Sequence, residues 1–168
     1  MSRSVSLLGA TGSVGQQALD LVARDPGLRV EALTGAGNVQ RLAADARRMG
    51  ARLAVTALPG RYRELREALA GSGVEAAAGP EAVAEAAARP ADWTLNAIVG
   101  AAGLAPSRAV VARGGTLALA NQGPRVVSRP LVAHRARAAG ATILPVDSEH
   151  SGAFQALRGE DAAAVERL

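Results

Sequence analysis

The residues Asp147, Ser148, Glu149 and His150 place two carboxylates, a hydroxyl and an imidazole directly after the apolar stretch Leu144-Pro-Val. On an extended backbone, Asp147 and Glu149 point to the same side, because side chains alternate along a strand. Both carboxylates could then bind one hard cation such as Mg²⁺ or Mn²⁺, which prefers oxygen ligands. A helix start capped by Asp147 or Ser148, with Glu149 in its first turn, explains the same residue types. The pattern therefore indicates either half of a metal site or a capped helix.

A second candidate site is the glycine pattern Gly9-Ala-Thr-Gly-Ser-Val-Gly15, which follows the first apolar run and opens a predicted helix. This order of strand, glycine-rich turn and helix is the context in which such glycines indicate dinucleotide binding. Gly9 permits the tight turn, Gly12 lets a pyrophosphate approach the backbone, and Gly15 lets the helix pack closely on the strand. The first turn of the helix supplies N–H groups and a partial positive charge. The alternative is a plain tight turn.

The cofactor type is indicated by the segment Thr34-Gly-Ala-Gly-Asn38, about 20 residues after the glycine pattern. An NAD enzyme places a carboxylate here to hold the ribose 2′-hydroxyl. This segment has none, and Glu31 still lies inside the predicted strand, so the sequence favours NADP over NAD. Asn38 can donate an amide hydrogen bond, and Arg41 could supply positive charge.

The candidate residues lie between secondary-structure elements, which the sequence indicates by short apolar runs that alternate with amphipathic, Ala-rich segments. We predict strands at residues 5–8, 29–34, 53–56, 74–77, 94–99, 116–120 and 142–146. Helices are predicted at residues 13–23, 39–49, 62–70, 81–88, 104–113, 131–139 and 151–157. This alternation is typical of βα units. The predicted fold class is α/β, a doubly wound parallel sheet of the Rossmann-like, NADP-binding kind.

Composition limits the classes of function. The chain has 168 residues, 49% of them hydrophobic, and a net charge of +4. All 19 basic residues are arginines, and they alternate with acidic residues, as in the set Arg61, Arg63, Glu64, Arg66 and Glu67, which is typical of a solvated helix face. With aromatic residues at 2%, nucleic-acid binding is disfavoured. No secretory or membrane-spanning segment is evident and cysteine is absent, so we expect a cytoplasmic protein with no membrane partner.

Four collinear stretches together resemble the 1-deoxy-D-xylulose 5-phosphate reductoisomerase family. They are the glycine pattern Gly9-Ala-Thr-Gly-Ser-Val-Gly15, Ala97-Ile-Val-Gly-Ala-Ala-Gly-Leu104, Ala118-Leu-Ala-Asn121 and Leu144-Pro-Val-Asp-Ser-Glu-His150. The resemblance implies conversion of 1-deoxy-D-xylulose 5-phosphate, a sugar phosphate, to 2-C-methyl-D-erythritol 4-phosphate in isoprenoid precursor synthesis. It further implies NADPH and a divalent metal, Mg²⁺ or Mn²⁺, as cofactors and a cytoplasmic homodimer in the full-length form.

The resemblance also assigns roles to single residues. It implies that the cofactor pyrophosphate binds at Thr11, Gly12, Ser13 and Val14, that the adenosine 2′-phosphate lies by Ala36, Gly37 and Asn38, and that Asn121 contacts the nicotinamide side. Asp147 and Glu149 are expected to bind the metal. Ser148 and Glu149 are expected to contact the substrate as catalytic residues.

The sequence departs from the family at two places. After Ala120-Asn121 the family pattern continues Lys-Glu-Ser-Leu, whereas this chain has Gln122-Gly-Pro-Arg125, so a cation and a carboxylate are missing. In addition, the family continues past Leu157 into a catalytic domain. We therefore expect residues 1–150 to form the NADPH-binding domain, residues 151–168 to be the truncated beginning of a catalytic domain, and this chain to be inactive alone. The alternatives are a catalytically inactive dinucleotide-binding relic and another Rossmann-fold reductase.

Overall fold

The computed structural model describes residues 2–120 and 134–157. The strands within these residues are β1 (Arg3–Leu8), β2 (Leu28–Gly35), β3 (Leu53–Thr56), β4 (Glu75–Ala78), β5 (Trp93–Asn96), β6 (Thr116–Leu119) and β7 (Thr142–Pro145). The helices are α1 (Ser13–Arg24), α2 (Val39–Met49), α3 (Tyr62–Ala68), α4 (Pro80–Ala88), α5 (Leu104–Ala112), α6, described over residues 134–139, and α7 (Ser148–Ala156). Short 3₁₀ turns at Pro59–Arg61 and Gly100–Gly103 precede α3 and α5.

The strands form one parallel sheet in the order β4-β3-β2-β1-β5-β6-β7. The chain first builds outward from β1 to β4, then crosses over and builds outward from β5 on the other side. The strand order thus reverses between β1 and β5, where Val5 lies opposite Trp93 and Leu8 opposite Asn96. In an open α/β sheet, ligands bind beyond the carboxyl ends of the strands at such a reversal.

Both faces of the sheet are covered, because side chains alternate along each strand. Val5 and Leu7 of β1 belong to the core that the sheet forms with α1, α2 and α3. Leu8 points to the opposite face, where it packs with α4, α5 and α6. A third cluster joins β2 and β3 to α4. Burial on both faces explains why the strands read as short apolar runs rather than as an alternating pattern.

The predicted fold class is confirmed, and the differences lie at element ends. The strand predicted to reach Val99 ends at Asn96, because the Asn96 side chain accepts the Ile98 N–H and the chain then turns through Gly100, whose φ is +70°. The final helix begins at Ser148, three residues earlier than predicted. The expected domain boundary after His150 therefore lies inside α7, and the division into domains stays a prediction.

Candidate functional site

The turn between β1 and α1 is built around its glycines. Gly9 has φ +81°, and a Cβ there would lie 2.9 Å from the carbonyl carbon of Ala97, the residue directly after β5. A Cβ at Gly15 would lie 2.3 Å from the Gly9 carbonyl oxygen, so only glycine lets α1 approach the turn this closely. At Gly12 a Cβ would meet only the Gly9 oxygen, at 3.5 Å. Gly9 and Gly15 are thus required by the fold, while Gly12 keeps the outer side of the turn open.

The N-terminus of α1 can accept an anion. Its N-cap is Gly12, no side chain caps it, and its first turn contains no acidic residue. Ser13 and Val14 of that first turn are exposed. Uncapped N–H groups and the positive end of the helix dipole are what a phosphate group binds. The predicted residues Thr11, Gly12, Ser13 and Val14 therefore lie together around a cradle with the shape and charge that a pyrophosphate needs.

The second predicted cofactor segment lies beside this cradle. Ala36, Gly37 and Asn38 follow β2 and are all exposed. Asn38 is the N-cap of α2, and its Oδ1 accepts the Arg41 N–H at 3.2 Å. A Cβ at Gly35 would lie 3.1 Å from the Thr11 side chain, which shows how closely the two turns approach. The structure thus places the two predicted groups of cofactor residues next to each other, and their role in binding stays a prediction.

Two residues for which the sequence predicted no role stabilise the turn between β1 and α1. Thr34, at the end of β2, accepts the Ala10 N–H through its carbonyl oxygen at 2.7 Å and the Gly9 N–H through Oγ1 at 3.1 Å. Gln16 donates its side-chain amide to the Ala10 carbonyl oxygen at 2.9 Å and to Asp45 Oδ2 at 2.7 Å. The only sequence signal for Gln16 was its position one residue after the required Gly15.

Arg41, which the sequence indicates as a possible source of positive charge for the loop after β2, has its guanidinium bonded to side chains of α1 and α2. Its Nε donates to Asp45 Oδ2 at 3.2 Å, and its Nη2 bonds to Gln16 Oε1. Arg48 also donates to Asp45, at 3.2 Å. The Asp45 side chain is only 5% exposed, and a buried carboxylate needs such partners. The guanidinium of Arg41 therefore neutralises Asp45 between α1 and α2, and a role in supplying charge to a cofactor stays a prediction.

Arg61 is partly solvated, with a side chain that is 41% exposed, and it also bonds to a neighbouring loop. This residue ends the 3₁₀ turn after β3, and its Nη1 donates to the Gly37 carbonyl oxygen at 2.7 Å. Arg63, by contrast, is 84% exposed and pairs with Glu67 one helical turn away, as predicted for a solvated face. Sequence spacing could not separate the two arginines, because only the pairing of β2 with β3 brings Arg61 to the Gly37 loop.

Asn96 organises the loop after β5, which carries the Ala97-Ile-Val-Gly stretch. Its buried side chain donates to the Gly103 carbonyl oxygen at 2.9 Å and to Ser107 Oγ at 2.8 Å, and it accepts the Ile98 N–H at 3.0 Å. These bonds satisfy both ends of the amide inside the core. The loop therefore has a defined shape at the edge where β1 and β5 end.

The Asp147 region is a capped helix start. Asp147 is the N-cap of α7; its Oδ1 accepts the His150 N–H at 3.0 Å and lies 2.5 Å from His150 Nδ1. Because Ser148 and Glu149 are already helical, the argument from alternating strand side chains is wrong at Glu149. Among the side chains that the structure describes, which do not include those of Ser148 and Glu149, no group of three His, Cys, Asp or Glu residues could hold a metal ion. The metal and substrate roles of these residues stay predictions.

Four predicted features fall wholly or partly outside the described residues. They are Asn121, the Gln122-Gly-Pro turn that departs from the family pattern, residues 131–133 of the helix predicted at residues 131–139, and residues 158–168 of the expected catalytic-domain segment. Among the described helices, none is both long and apolar enough to cross a membrane.

Comparison with known proteins identifies the family to which this chain is similar. The family model described as 1-deoxy-D-xylulose 5-phosphate reductoisomerase matches residues 5–128. The reductoisomerase of Paracoccus denitrificans (strain Pd 1222) is 64% identical over 169 residues, covering 99% of this chain and 43% of that protein. That of Ruegeria pomeroyi is 62% identical, over 99% of this chain and 42% of the relative. The chain thus spans under half the length of the curated relatives it matches.

Solved structures give the same match. The reductoisomerase of Zymomonas mobilis in complex with NADPH is 49% identical, with a TM-score of 0.91 over 92% of this chain and 41% of that one. A DOX-P reductoisomerase in complex with NADPH, fosmidomycin and magnesium is 36% identical, with a TM-score of 0.88 over 94% of this chain and 40% of that one. A biliverdin reductase with NADP⁺, at 16% identity and a TM-score of 0.61, shares the fold alone.

Proposed function

The chain belongs to the 1-deoxy-D-xylulose 5-phosphate reductoisomerase family, and we propose that it forms the NADPH-binding part of an enzyme that makes 2-C-methyl-D-erythritol 4-phosphate. The family membership excludes the alternative of an unrelated Rossmann-fold reductase. The observation that carries the proposal is the open cradle at Gly12, next to an uncapped helix N-terminus with no acid in its first turn. Relatives of this family have been solved with NADPH.

The residues of the cradle fit the cofactor's pyrophosphate. The N–H groups at Ser13 and Val14 and the Thr11 hydroxyl would donate to phosphate oxygens, while Gly12, whose own N–H donates to the Gly9 carbonyl oxygen at 3.1 Å, lets the phosphates approach the backbone. The adjacent loop of Ala36, Gly37 and Asn38 would hold the adenosine end. Asn38 uses its Oδ1 to cap α2, so its amide group can donate toward a ligand. When bound, NADPH would supply the hydride for the reduction. Asn121 is proposed to contact the nicotinamide side.

The proposal for a divalent metal rests on the relatives, one of which was solved with magnesium and fosmidomycin. Asp147 and Glu149 are the proposed ligands, and Ser148 and Glu149 the proposed contacts to the sugar phosphate. The described residues alone do not complete a metal centre, so no step of the cofactor proposal depends on one. Homodimer formation, a cytoplasmic location and a catalytic domain beginning at residue 151 are likewise proposals.

Calorimetric titration of the purified chain with NADPH and with NADH tests the cofactor proposal. We expect NADPH to bind and NADH to bind at least about tenfold more weakly, because the loop after β2 has no carboxylate that would repel a 2′-phosphate. Repeating the titration with Mg²⁺ should leave the NADPH affinity unchanged, since Asp147 lies beyond β7, three strands away from β1. Absence of binding by either nucleotide would contradict the proposal and favour a folded relic, in line with the altered turn at Gln122.

A further inference from the structure

The loop that would receive the 2′-phosphate contains no charged side chain. Its residues are Ala36, Gly37 and Asn38, and the strand before it ends in Gly35. A phosphate monoester carries between one and two negative charges near neutral pH and is bound most strongly by cations, above all by arginine. If the loop selects for a 2′-phosphate, the cation must therefore come from a neighbouring element.

Arg61 is placed to be that cation. Its Nη1 lies 2.7 Å from the Gly37 carbonyl oxygen, so its guanidinium sits directly on the loop. The loop is fixed from the same side, because Thr56 Oγ1 at the end of β3 donates to the Ala36 carbonyl oxygen at 2.8 Å. A Cβ at Gly37 would find its nearest neighbour, Leu58, only at 4.0 Å, so the loop leaves room for a ligand beside the guanidinium.

Glu64 orients this guanidinium. Its Oε2 accepts from Arg61 Nε at 2.6 Å and pairs with Nη2 at 2.5 Å. An arginine has five N–H groups, so these bonds and the one to Gly37 leave two N–H groups, one on each terminal nitrogen, without a partner among the described residues. Two such groups on adjacent nitrogens can bind two oxygens of one phosphate. The Arg61 side chain is 41% exposed, which leaves it accessible to a cofactor.

The other arginine near the loop is engaged elsewhere. Arg41 bonds to Gln16 and to the buried carboxylate of Asp45, both on the α1 side of α2. Moving its guanidinium to the loop would leave Asp45, whose side chain is 5% exposed, with fewer partners. That rearrangement would be unfavourable, because an incompletely paired buried carboxylate is costly. The geometry therefore favours Arg61 over Arg41.

We propose that Arg61 is the residue that recognises the 2′-phosphate of NADPH, with Glu64 holding its guanidinium against the Gly37 carbonyl. This inference rests on the proposed function, since it concerns the same cofactor. It also means that the group responsible for NADPH specificity lies in the 3₁₀ turn after β3, rather than in the loop after β2.

The test compares Arg61→Gln with Arg63→Gln by calorimetry with NADPH and with NADH. We expect Arg61→Gln to weaken NADPH binding by about tenfold and NADH binding by less than about twofold, because only NADPH carries the 2′-phosphate. Arg61→Lys keeps the charge and should retain part of the NADPH affinity. Arg63→Gln removes the same charge from an exposed position on the neighbouring helix turn and should change neither affinity.

The readouts separate the possible failures. If the wild-type chain binds neither nucleotide, both the proposed function and this inference are wrong. Wild-type chain that binds NADPH, with Arg61→Gln unchanged or weakened equally for both nucleotides, would overturn only the role of Arg61; an equal loss would show that Arg61 merely supports the loop. A selective loss in Arg41→Gln but not in Arg61→Gln would move the role to Arg41. Circular dichroism of each variant checks that it is folded.

Discussion

Glycines of the same motif have different physical roles in this chain. Gly15 is needed because a Cβ there would overlap the Gly9 carbonyl oxygen at 2.3 Å, whereas a Cβ at Gly12 would have its nearest neighbour at 3.5 Å. Gly12 also has an extended backbone, with φ −81° and ψ 172°, which any residue can adopt. Gly15 is thus required for folding, and Gly12 for what approaches the turn from outside.

The variants Gly15→Ala and Gly12→Ala should therefore behave differently. We expect Gly15→Ala to lower the free energy of unfolding by about 3 kcal/mol, because the added methyl group forces α1 away from the turn. Gly12→Ala should lower it by no more than about 1 kcal/mol, the cost of a poorer N-cap, yet weaken NADPH binding by about tenfold or more. Urea unfolding and calorimetry measure the two quantities. Equal destabilisation by both variants would contradict the division of roles.

At the scale of elements, α1 and α2 are joined through a polar network next to the glycine-rich turn. Gln16 of α1 uses its amide to bond both the Ala10 carbonyl and the Asp45 carboxylate of α2. Asp45 also pairs with Arg41 and Arg48 on its own helix. Because Asp45 is buried, the network is sensitive to the loss of any one member. It connects the position of the glycine-rich turn to the start of α2.

A double-mutant cycle on Gln16 and Asp45 measures this connection. Gln16→Ala should lower the free energy of unfolding by about 1–2 kcal/mol, since it leaves a buried carboxylate short of a donor. The coupling energy with Asp45→Ala should be about 1 kcal/mol, as expected for side chains in direct contact. Gln17→Ala is the control: Gln17 is exposed on the same helix and should change stability by less than about 0.5 kcal/mol. Additive effects of the two main variants would show that the contact carries no stability.

At the scale of the whole molecule, the two halves of the sheet meet between β1 and β5. Hydrogen bonds join the two strands at both of their ends. At the carboxyl edge the Ala97 N–H bonds the Leu8 carbonyl oxygen. At the opposite edge, Asp92 Oδ2 accepts the Ser4 N–H at 2.6 Å and the Ser4 hydroxyl at 2.9 Å, while Ser4 Oγ accepts the Asp92 N–H. The Ser4 N–H and hydroxyl donors lower the pKa of Asp92 from its usual 3.8, because they stabilise the charged carboxylate.

This lowered pKa predicts how stability depends on pH. A carboxyl group whose folded-state pKa is lowered stabilises the fold above its unfolded pKa, and that contribution is lost as the pH falls through the folded value. Asp92→Asn should therefore be less stable than the wild type at pH 7, and the difference should shrink once the pH falls below 3.8. Urea unfolding of both proteins between pH 7 and pH 3 measures it. A difference that stays constant or widens in acid would contradict the assignment.

Much of the local structure was predictable because it depends on neighbours in sequence. The βα alternation, the strand–glycine–helix order and the N-cap options at Asp147 follow from residue types within a few positions of one another. The end of β5 was not predictable, since it depends on the Asn96 side chain reaching Ser107, 11 residues further on. The strand-based argument for Glu149 was wrong for a related reason: the cap formed by Asp147 starts the helix one residue later.

By itself, the amino-acid sequence determined the fold class, the position of the glycine-rich turn and the absence of an acid in the loop after β2, because each depends on local residue types. Tertiary structure alone decided which arginine reaches that loop. Arg41 is close to it in sequence but is bonded to Asp45, whereas Arg61 lies at the end of the 3₁₀ turn after β3 and bonds to Gly37. The reason is that neighbouring parallel strands bring together residues that are some 20 positions apart in the chain. In addition, the spacing of residues along the chain does not indicate which arginine will pair with a buried carboxylate.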